Sequence, residues 1–353
     1  MNSKEMEHIQ KVLHSYPVSS ENISVAHLKS GLIHSSYKIS TADDSYLLQQ
    51  INTRVFQDVS ALMENIKLVT DTLSQAYKDS PYESLEIIPA KTGELFFQNN
   101  EKAWRIYSFK DHLKGFESPK NIDMVHEAGK AFSLFIKALS PLNPDQLSVT
   151  IPQFHSLEYR HSQLQQSLKT THVDVAEILS LIDKTKEYTR LLLPLEHAFQ
   201  SGEIPTRITH NDSKFNNLLF DDSGRARCVV DLDTVMPGII HFDVGDCLRT
   251  LVPTTPEDEP NLDQIELRKE YHNAFLDGFL SASESWFTKS ERTYLPYAAP
   301  YMALIMGTRF LTDYLNGNTY YHCEYPKHNI VRARCQLEVV RQFLDLSPLH
   351  KIN

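Results

Sequence analysis

The 353-residue chain carries 35 Lys and Arg against 45 Asp and Glu, a formal net charge of −10. That balance repels a phosphate backbone and an anionic bilayer, so neither nucleic acid nor membrane is expected as a main partner. At about 150 residues per domain the length predicts two domains or lobes and a sizeable core.

The four cysteines, Cys228, Cys247, Cys323 and Cys335, form no C-x-x-C pair and no zinc-finger spacing with histidine. The polar, acid-bearing start Met1–His8 lacks an apolar signal stretch, and no apolar run reaches the ~20 residues of a membrane span. A cytoplasmic protein is expected, monomeric or a small homo-oligomer.

The first ~110 residues read as strand-rich. Ile23–Ser30, Ser36–Ser40 and Tyr46–Ile51 are short, partly alternating runs broken by Gly31 and by Ala42-Asp43-Asp44. Phe56–Ala76 carries a helical stripe of Val59, Leu62, Met63, Ile66, Val69 and Leu73. Strand character resumes at Leu85–Pro89, Leu95–Phe97 and Trp104–Phe109, with Gly93 and Asn99-Asn100 at turns. Helices follow at Asp123–Leu139, Leu157–Leu168, Val173–Phe199, Leu262–Leu280, Glu291–Leu315 and Ile330–Leu344. Among them lies one strand-rich island, Arg207–Thr209, Leu218–Phe220 and Arg227–Asp231, with Asp221-Asp222-Ser223-Gly224 as a hairpin turn. The expected class is α+β and two-lobed, of protein-kinase-like fold: a β-rich nucleotide-binding lobe over residues 1–108 and a helical lobe over 109–353 with the catalytic loop and the substrate site.

The chemistry concentrates in Ile208–Asp233. His210-Asn211-Asp212-Ser213-Lys214-Phe215-Asn216-Asn217 has the spacing H-x-D-x-x-x-x-N. Phosphoryl transfer needs a residue to orient or deprotonate the attacking hydroxyl and oxygen ligands for Mg²⁺. Asp212 fits the first role, and Asn217 with an Asp at the end of the next hairpin fits the second. Asp231 is the first choice for that Asp. Asp233, two residues on, would share its side of an extended strand end; a second metal or substrate contact and a turn-capping role both remain open for it. Lys214 is placed to neutralise the transferred group.

These residues resemble the aminoglycoside phosphotransferase and choline kinase superfamily. Within it, the chain is similar almost end to end to the N-acetylhexosamine 1-kinases. The matching stretches include Tyr46–Asn52, Trp104–Tyr107, Thr209–Leu218, Asp231–Gly238, Phe242–Asp246, Arg309–Leu315 and Tyr325–Asn329. The resemblance implies transfer of phosphate from ATP, with Mg²⁺, to the anomeric hydroxyl of N-acetylglucosamine and N-acetylgalactosamine. It implies Asp212 as base, Asn217 and Asp231 on magnesium, and Arg309 and Tyr320 on the sugar. Tyr107-Ser108-Phe109 becomes the hinge whose backbone meets adenine. His34, where members of the group carry Asn, joins the substrate-side positions.

The departures lie in the first lobe. The phosphate-covering loop has a single glycine, Gly31, leaving Ser35, Ser36 and backbone N–H groups as donors. The strand lysine of many kinases is replaced by Gln49-Gln50, which donates hydrogen bonds without charge. Asp243 and Asp246 read as braces of the catalytic loop, Arg309 as a possible i,i+4 partner of Asp313, and Glu257-Asp258-Glu259 as a solvated loop.

Overall fold

The computed structural model describes residues 3–19, 22–28, 34–99, 102–346 and 349. In chain order its main elements are α1 (Ser3–Leu13), β1 (Ser24–Leu28), β2 (Ser35–Ser40), β3 (Ser45–Ile51), α2 (Val59–Ala76), β4 (Ile87–Ile88), β5 (Phe97–Asn99), β6 (Lys102–Ser108) and β7 (Lys114–Gly115). Then come α3 (Ile122–Leu139), α4 (Leu157–Thr170), α5 (Leu179–Gln200), β8 (Arg207–Thr209), β9 (Leu218–Phe220), β10 (Ala226–Val229), β11 (Met236–Gly238), α6 (Ile240–Leu251), α7 (Lys269–Ser283), α8 (Lys289–Tyr294), α9 (Ala298–Leu315) and α10 (His328–Leu346). The α+β class, with a sheet-rich N-terminal region and a helical C-terminal one, is as expected. No helix among the described residues is long and apolar enough to cross a membrane.

The chain divides into two units that are not contiguous in sequence. The first comprises Met1–Gly115, Ala138–Ile151 and Leu218–Met236; the second comprises Phe116–Lys137, Pro152–Asn217 and Pro237–Asn353.

In the first unit the strand order is β1-β2-β3-β6-β4, with β5 also on β6, and the pairs are antiparallel. Alternation along β6 sends successive side chains to opposite faces. Trp104 and Ile106 join Ile9, Val12, Leu13 and Tyr16 in one apolar cluster, so α1 covers that face. Arg105 lies on the other, with its guanidinium 3.9 Å from Met63 Sδ of α2. Both faces are therefore buried, and Ala103–Tyr107 form an unbroken buried run. A small sheet, β10-β9-β7, completes the unit, and the predicted turn at Asp221–Gly224 is present with Gly224 at φ 80°. Asp221 Oδ1 accepts the N–H groups of Ser223 and Arg225 there, at 2.9 and 3.1 Å.

In the second unit α9 is the centre. It packs against α4, α5, α6 and α10, and most of its side chains are buried on all sides.

Several predicted boundaries move for identifiable reasons. α2 starts at Val59 because Asp58 caps it, accepting Ala61 N–H at 2.9 Å. The predicted Glu291–Leu315 helix is two helices joined by a 3₁₀ turn, Leu295–Tyr297, that contains Pro296, a residue without the N–H a continuous helix needs. The predicted Val173 start is a bend followed by a 3₁₀ turn, Ala176–Ile178, the predicted Leu262 start is a 3₁₀ turn, Leu262–Gln264, and the α-helices begin at Leu179 and Lys269. α1 and α6 were not expected as helices.

Candidate active site

The catalytic loop leaves β8 of the second unit and is held mainly by acceptors for its main chain. Asp243, on the first turn of α6, accepts His210 N–H at 2.8 Å through one oxygen and Asn211 N–H at 2.7 Å through the other. Ser213 Oγ donates to the Asp243 carbonyl at 2.6 Å. His155 Nε2 lies 2.8 Å from the Asn211 carbonyl. Asn211 itself is left-handed, φ 62°, and its amide bridges Thr209 through Oδ1 and Nδ2. The loop also needs Gly238: a Cβ there would fall 2.3 Å from Thr209 Oγ1 and 2.7 Å from Asn211 Oδ1. The bracing role expected of Asp243 is thus met.

Asp212 follows directly. Lys214 Nζ lies 2.7 Å from its Oδ1. Burial alone would push the Asp212 carboxyl up, but Lys214 outweighs it, with help from His210 and Arg249, and the group sits below the usual carboxylate range. Burial likewise opposes the charge on Lys214, yet Asp212 and Asp246 hold the ammonium above its ordinary value. Asn217, in the 3₁₀ turn Phe215–Asn217, donates Nδ2–H to the Asp212 carbonyl at 2.7 Å. Its Oδ1 is the end left for a cation, and a hard oxygen is the donor Mg²⁺ prefers.

Beneath the loop, Asp246 is ion-paired to buried Arg249 at 2.7 Å, and Arg249 also meets Glu257. Asp258 accepts from His328 at 2.9 Å. The segment Glu257-Asp258-Glu259 is therefore not simply solvated, because Glu257 pairs with Arg249 and Asp258 accepts from the His328 ring.

Arg309 lies on α9 among rings. Its guanidinium is 5.6 Å from the Phe154 centroid, 5.7 Å from Tyr320 and 5.5 Å from Tyr321. The expected pairing with Asp313 is absent: among the described residues no carboxylate lies within 4 Å of Arg309. Asp313 instead accepts the N–H groups of Thr319, Tyr320 and Tyr321 at 3.0, 2.9 and 3.0 Å and Asn329 Nδ2 at 2.9 Å. It fixes the backbone that carries Tyr320, while the exposed Tyr320 ring stays accessible.

In the first unit the two acids after the hairpin do not share one side of an extended strand. Asp231 is left-handed, φ 62°, and stands just before the 3₁₀ turn Leu232–Thr234 without a side-chain cap bond, so the chain turns between them. Asp231 is exposed and Asp233 is 3 % exposed. Arg105 grips both Asp233 oxygens, at 2.7 and 2.6 Å. His34 Nε2 stands 3.3 Å from Asp233 Oδ1, and His34 Nδ1 accepts Asn52 N–H at 3.0 Å. Burial would raise the Asp233 carboxyl, but Arg105 outweighs it with His34 and holds it well below the carboxylate range.

The same arginine explains the glutamine. Arg105 Nε donates to Gln49 Oε1 at 3.0 Å, and Gln49 Nε2 donates to Ser36 Oγ at 3.0 Å. Ser36 is buried, whereas Ser35 is exposed and paired in register with Gln50. Gly31 lies outside the described residues. At the proposed hinge, Tyr107 is buried, Ser108 N–H donates to Glu86 O and Phe109 N–H to Ser45 O, each at 2.9 Å. A cavity of about 480 Å³ beside Ser108 and Phe109 is lined by Asp43, Asp44, Glu86 and Asp111, a setting hostile to phosphate.

Sequence reasoning missed Arg105. Its signal was a lone charge inside the apolar run Ala103–Tyr107, which demands a buried counter-charge. It also missed His155 and Asp313 as anchors, for which no local signal existed.

The family model for a phosphotransferase enzyme family (APH) matches residues 24–279, and the chain belongs to that family. Its fold is shared with a microcompartment-associated aminopropanol kinase at 16 % identity and TM-score 0.63, covering 98 % of this chain and 99 % of that one. A choline kinase from Cryptosporidium parvum is similar at 14 % identity and TM-score 0.59, covering 96 % of each chain. A spectinomycin phosphotransferase solved with ADP and spectinomycin is similar at 11 % identity and TM-score 0.52, covering 96 % of this chain and 97 % of that one.

Proposed function

We propose that this phosphotransferase is an ATP-dependent kinase whose acceptor is the anomeric C1 hydroxyl of an N-acetylhexosamine. The observation that carries the reading is the Arg309 cluster. An alcohol bearing a quaternary or primary ammonium would want a cage of acids and rings. Here the rings Phe154, Tyr320 and Tyr321 surround a cation with no carboxylate beside it among the described residues, which suits a neutral, hydroxyl-rich acceptor that stacks and accepts hydrogen bonds.

Asp212 orients the attacking hydroxyl and takes its proton, and the in-line attack on the γ-phosphate needs little more than this positioning. Lys214 keeps Asp212 ionised and lends charge to the transferred group. Asn217 through Oδ1 and Asp231 would hold Mg²⁺, which when bound neutralises charge on the phosphates. Asp233 is assigned to Arg105, not to metal, and His34 braces it. Ser35 and Gln50 remain the phosphate donors of the first unit.

A coupled ADP-release assay over N-acetylglucosamine, N-acetylgalactosamine, choline, ethanolamine, homoserine and an aminoglycoside tests the reading, with phosphorus NMR of the product. Turnover confined to the N-acetylhexosamines with phosphate on C1 supports it. Preference for any amine-bearing alcohol sinks it.

A further inference from the structure

We propose that His155 is a positioning residue for Asp212 and that it ties the base to the acceptor cluster. Phe154 and His155 are consecutive, yet their side chains serve different neighbours. Phe154 faces the Arg309 guanidinium. His155 Nε2 bonds the carbonyl of Asn211, the residue before Asp212. The two rings are 4.3 Å apart, and the imidazole also stands 5.0 Å from Phe242 of α6. Behind them, Tyr301 Oη donates to the His155 carbonyl at 2.7 Å and lies 3.1 Å from Glu196 Oε2. The pivot is thus fixed from the α9 side.

Asn211 is held on three sides: its N–H by Asp243, its side chain by Thr209 and its carbonyl by His155. A left-handed non-glycine residue persists only when its surroundings over-determine it. Losing one hold frees the peptide that aims Asp212. Packing alone does not call for an imidazole here. A phenyl ring would fill the space between Phe154 and Phe242 without a buried nitrogen, whereas His155 Nδ1 has no hydrogen-bond partner among the described residues. What the imidazole adds is the Nε2–H bond. Because the Asn211 carbonyl only accepts, the proton belongs on Nε2. Burial pushes the ring down to about 3, so it stays neutral and is no proton carrier at working pH.

The inference rests on Asp212 being the base and not on which alcohol is the acceptor. It is tested on whichever acceptor the wild type turns over fastest, with Asp212→Asn alongside. His155→Phe is expected to lower kcat about 10- to 100-fold, as a small misplacement of a reacting group does, with the acceptor KM within about threefold, the loss falling on orientation and not on binding. His155→Gln, which keeps an N–H donor, should recover most of that loss. Nitrogen NMR of the wild-type histidines should show a neutral, Nε2-protonated ring. A folded His155→Phe with wild-type kcat, beside a dead Asp212→Asn, overturns the inference and spares the base. A raised KM at unchanged kcat makes His155 an acceptor contact and overturns it too. An Nδ1-protonated or cationic ring does the same even if neither variant folds.

Discussion

The two acidic turns of this protein are held by opposite means. The turn at Asp212, in the second unit, is fixed through its main chain: Asp243 takes two peptide N–H groups and His155 one carbonyl. The turn at Asp231, in the first unit, is fixed through a side chain, the buried pair of Asp233 with Arg105. In the first arrangement the Asp212 carboxylate itself is left to a side-chain partner, Lys214. In the second, the neighbouring carboxylate is consumed so that Asp231 alone is presented. Both turns put one residue at φ 62°, so each needs an anchor that outweighs backbone strain.

The contrast can be broken at graded strength. Asp212→Asn removes the proposed base and none of the anchors. Turnover in the ADP-release assay should fall by about 10²- to 10⁴-fold, with the thermal transition nearly unmoved. Full retention of rate in the folded variant would reassign the base.

Arg105→Leu strips the other turn of its anchor. It leaves Asp233 buried and unpaired, at a cost of about 3–5 kcal/mol. Adding Asp233→Leu should return most of the stability in a urea melt. If it also returns full activity, the pair has no part in presenting Asp231.

Asp243→Asn should be milder. One of the two N–H groups then faces an amide donor, a loss of about 1–3 kcal/mol together with kcat. The same residue gives a pH signature. Burial pushes the Asp243 carboxyl up to about 6, despite His210 and the two N–H bonds. As pH falls through 6 it takes a proton, its hold on the loop weakens, and kcat should drop. Its stability term runs the other way. The folded value lies above the unfolded one, so this group favours folding most at low pH, and that contribution is lost as pH rises through about 6. Asp233, held low, behaves oppositely: its contribution is present above the ordinary carboxylate value and vanishes only in stronger acid. Rate and melting profiles from pH 4.5 to 8, for wild type and Asp243→Asn, test whether the acid limb of kcat disappears in the variant.

Smallest is Arg309→Ala. It should raise the acceptor KM roughly tenfold, about 1.4 kcal/mol, and leave the KM for ATP alone. An effect on kcat only would remove Arg309 from the acceptor site.

Much of this was legible in the chain. The alternating runs gave β2 and β3 within a residue or two, because each lies in a sheet whose faces differ. Asp212 and Asn217 were legible because a loop that closes on itself, Asn217 Nδ2 onto the Asp212 carbonyl, is encoded by spacing five residues long. α6 was not. Its acids and Arg249 stand where an amphipathic helix would be polar and solvated, but here they are buried against the loop and one another. α1 was passed over as a polar start, although Ile9, Val12 and Leu13 bury one stripe of it on the sheet.

The sequence by itself determined the class of fold and the family, and it singled out Asp212 with Asn217 as candidates, since those rest on local pattern and short spacing. The tertiary structure alone decided that Asp233 is buried on Arg105 while Asp231 is not. The spacing favoured Asp231 for metal but left the role of Asp233 open. A left-handed turn and an arginine 128 residues away make one of them a buried counter-ion and leave the other exposed. The physical reason is desolvation: a buried carboxylate must find its cation wherever the fold brings one, and no spacing within the segment records which strand will supply it.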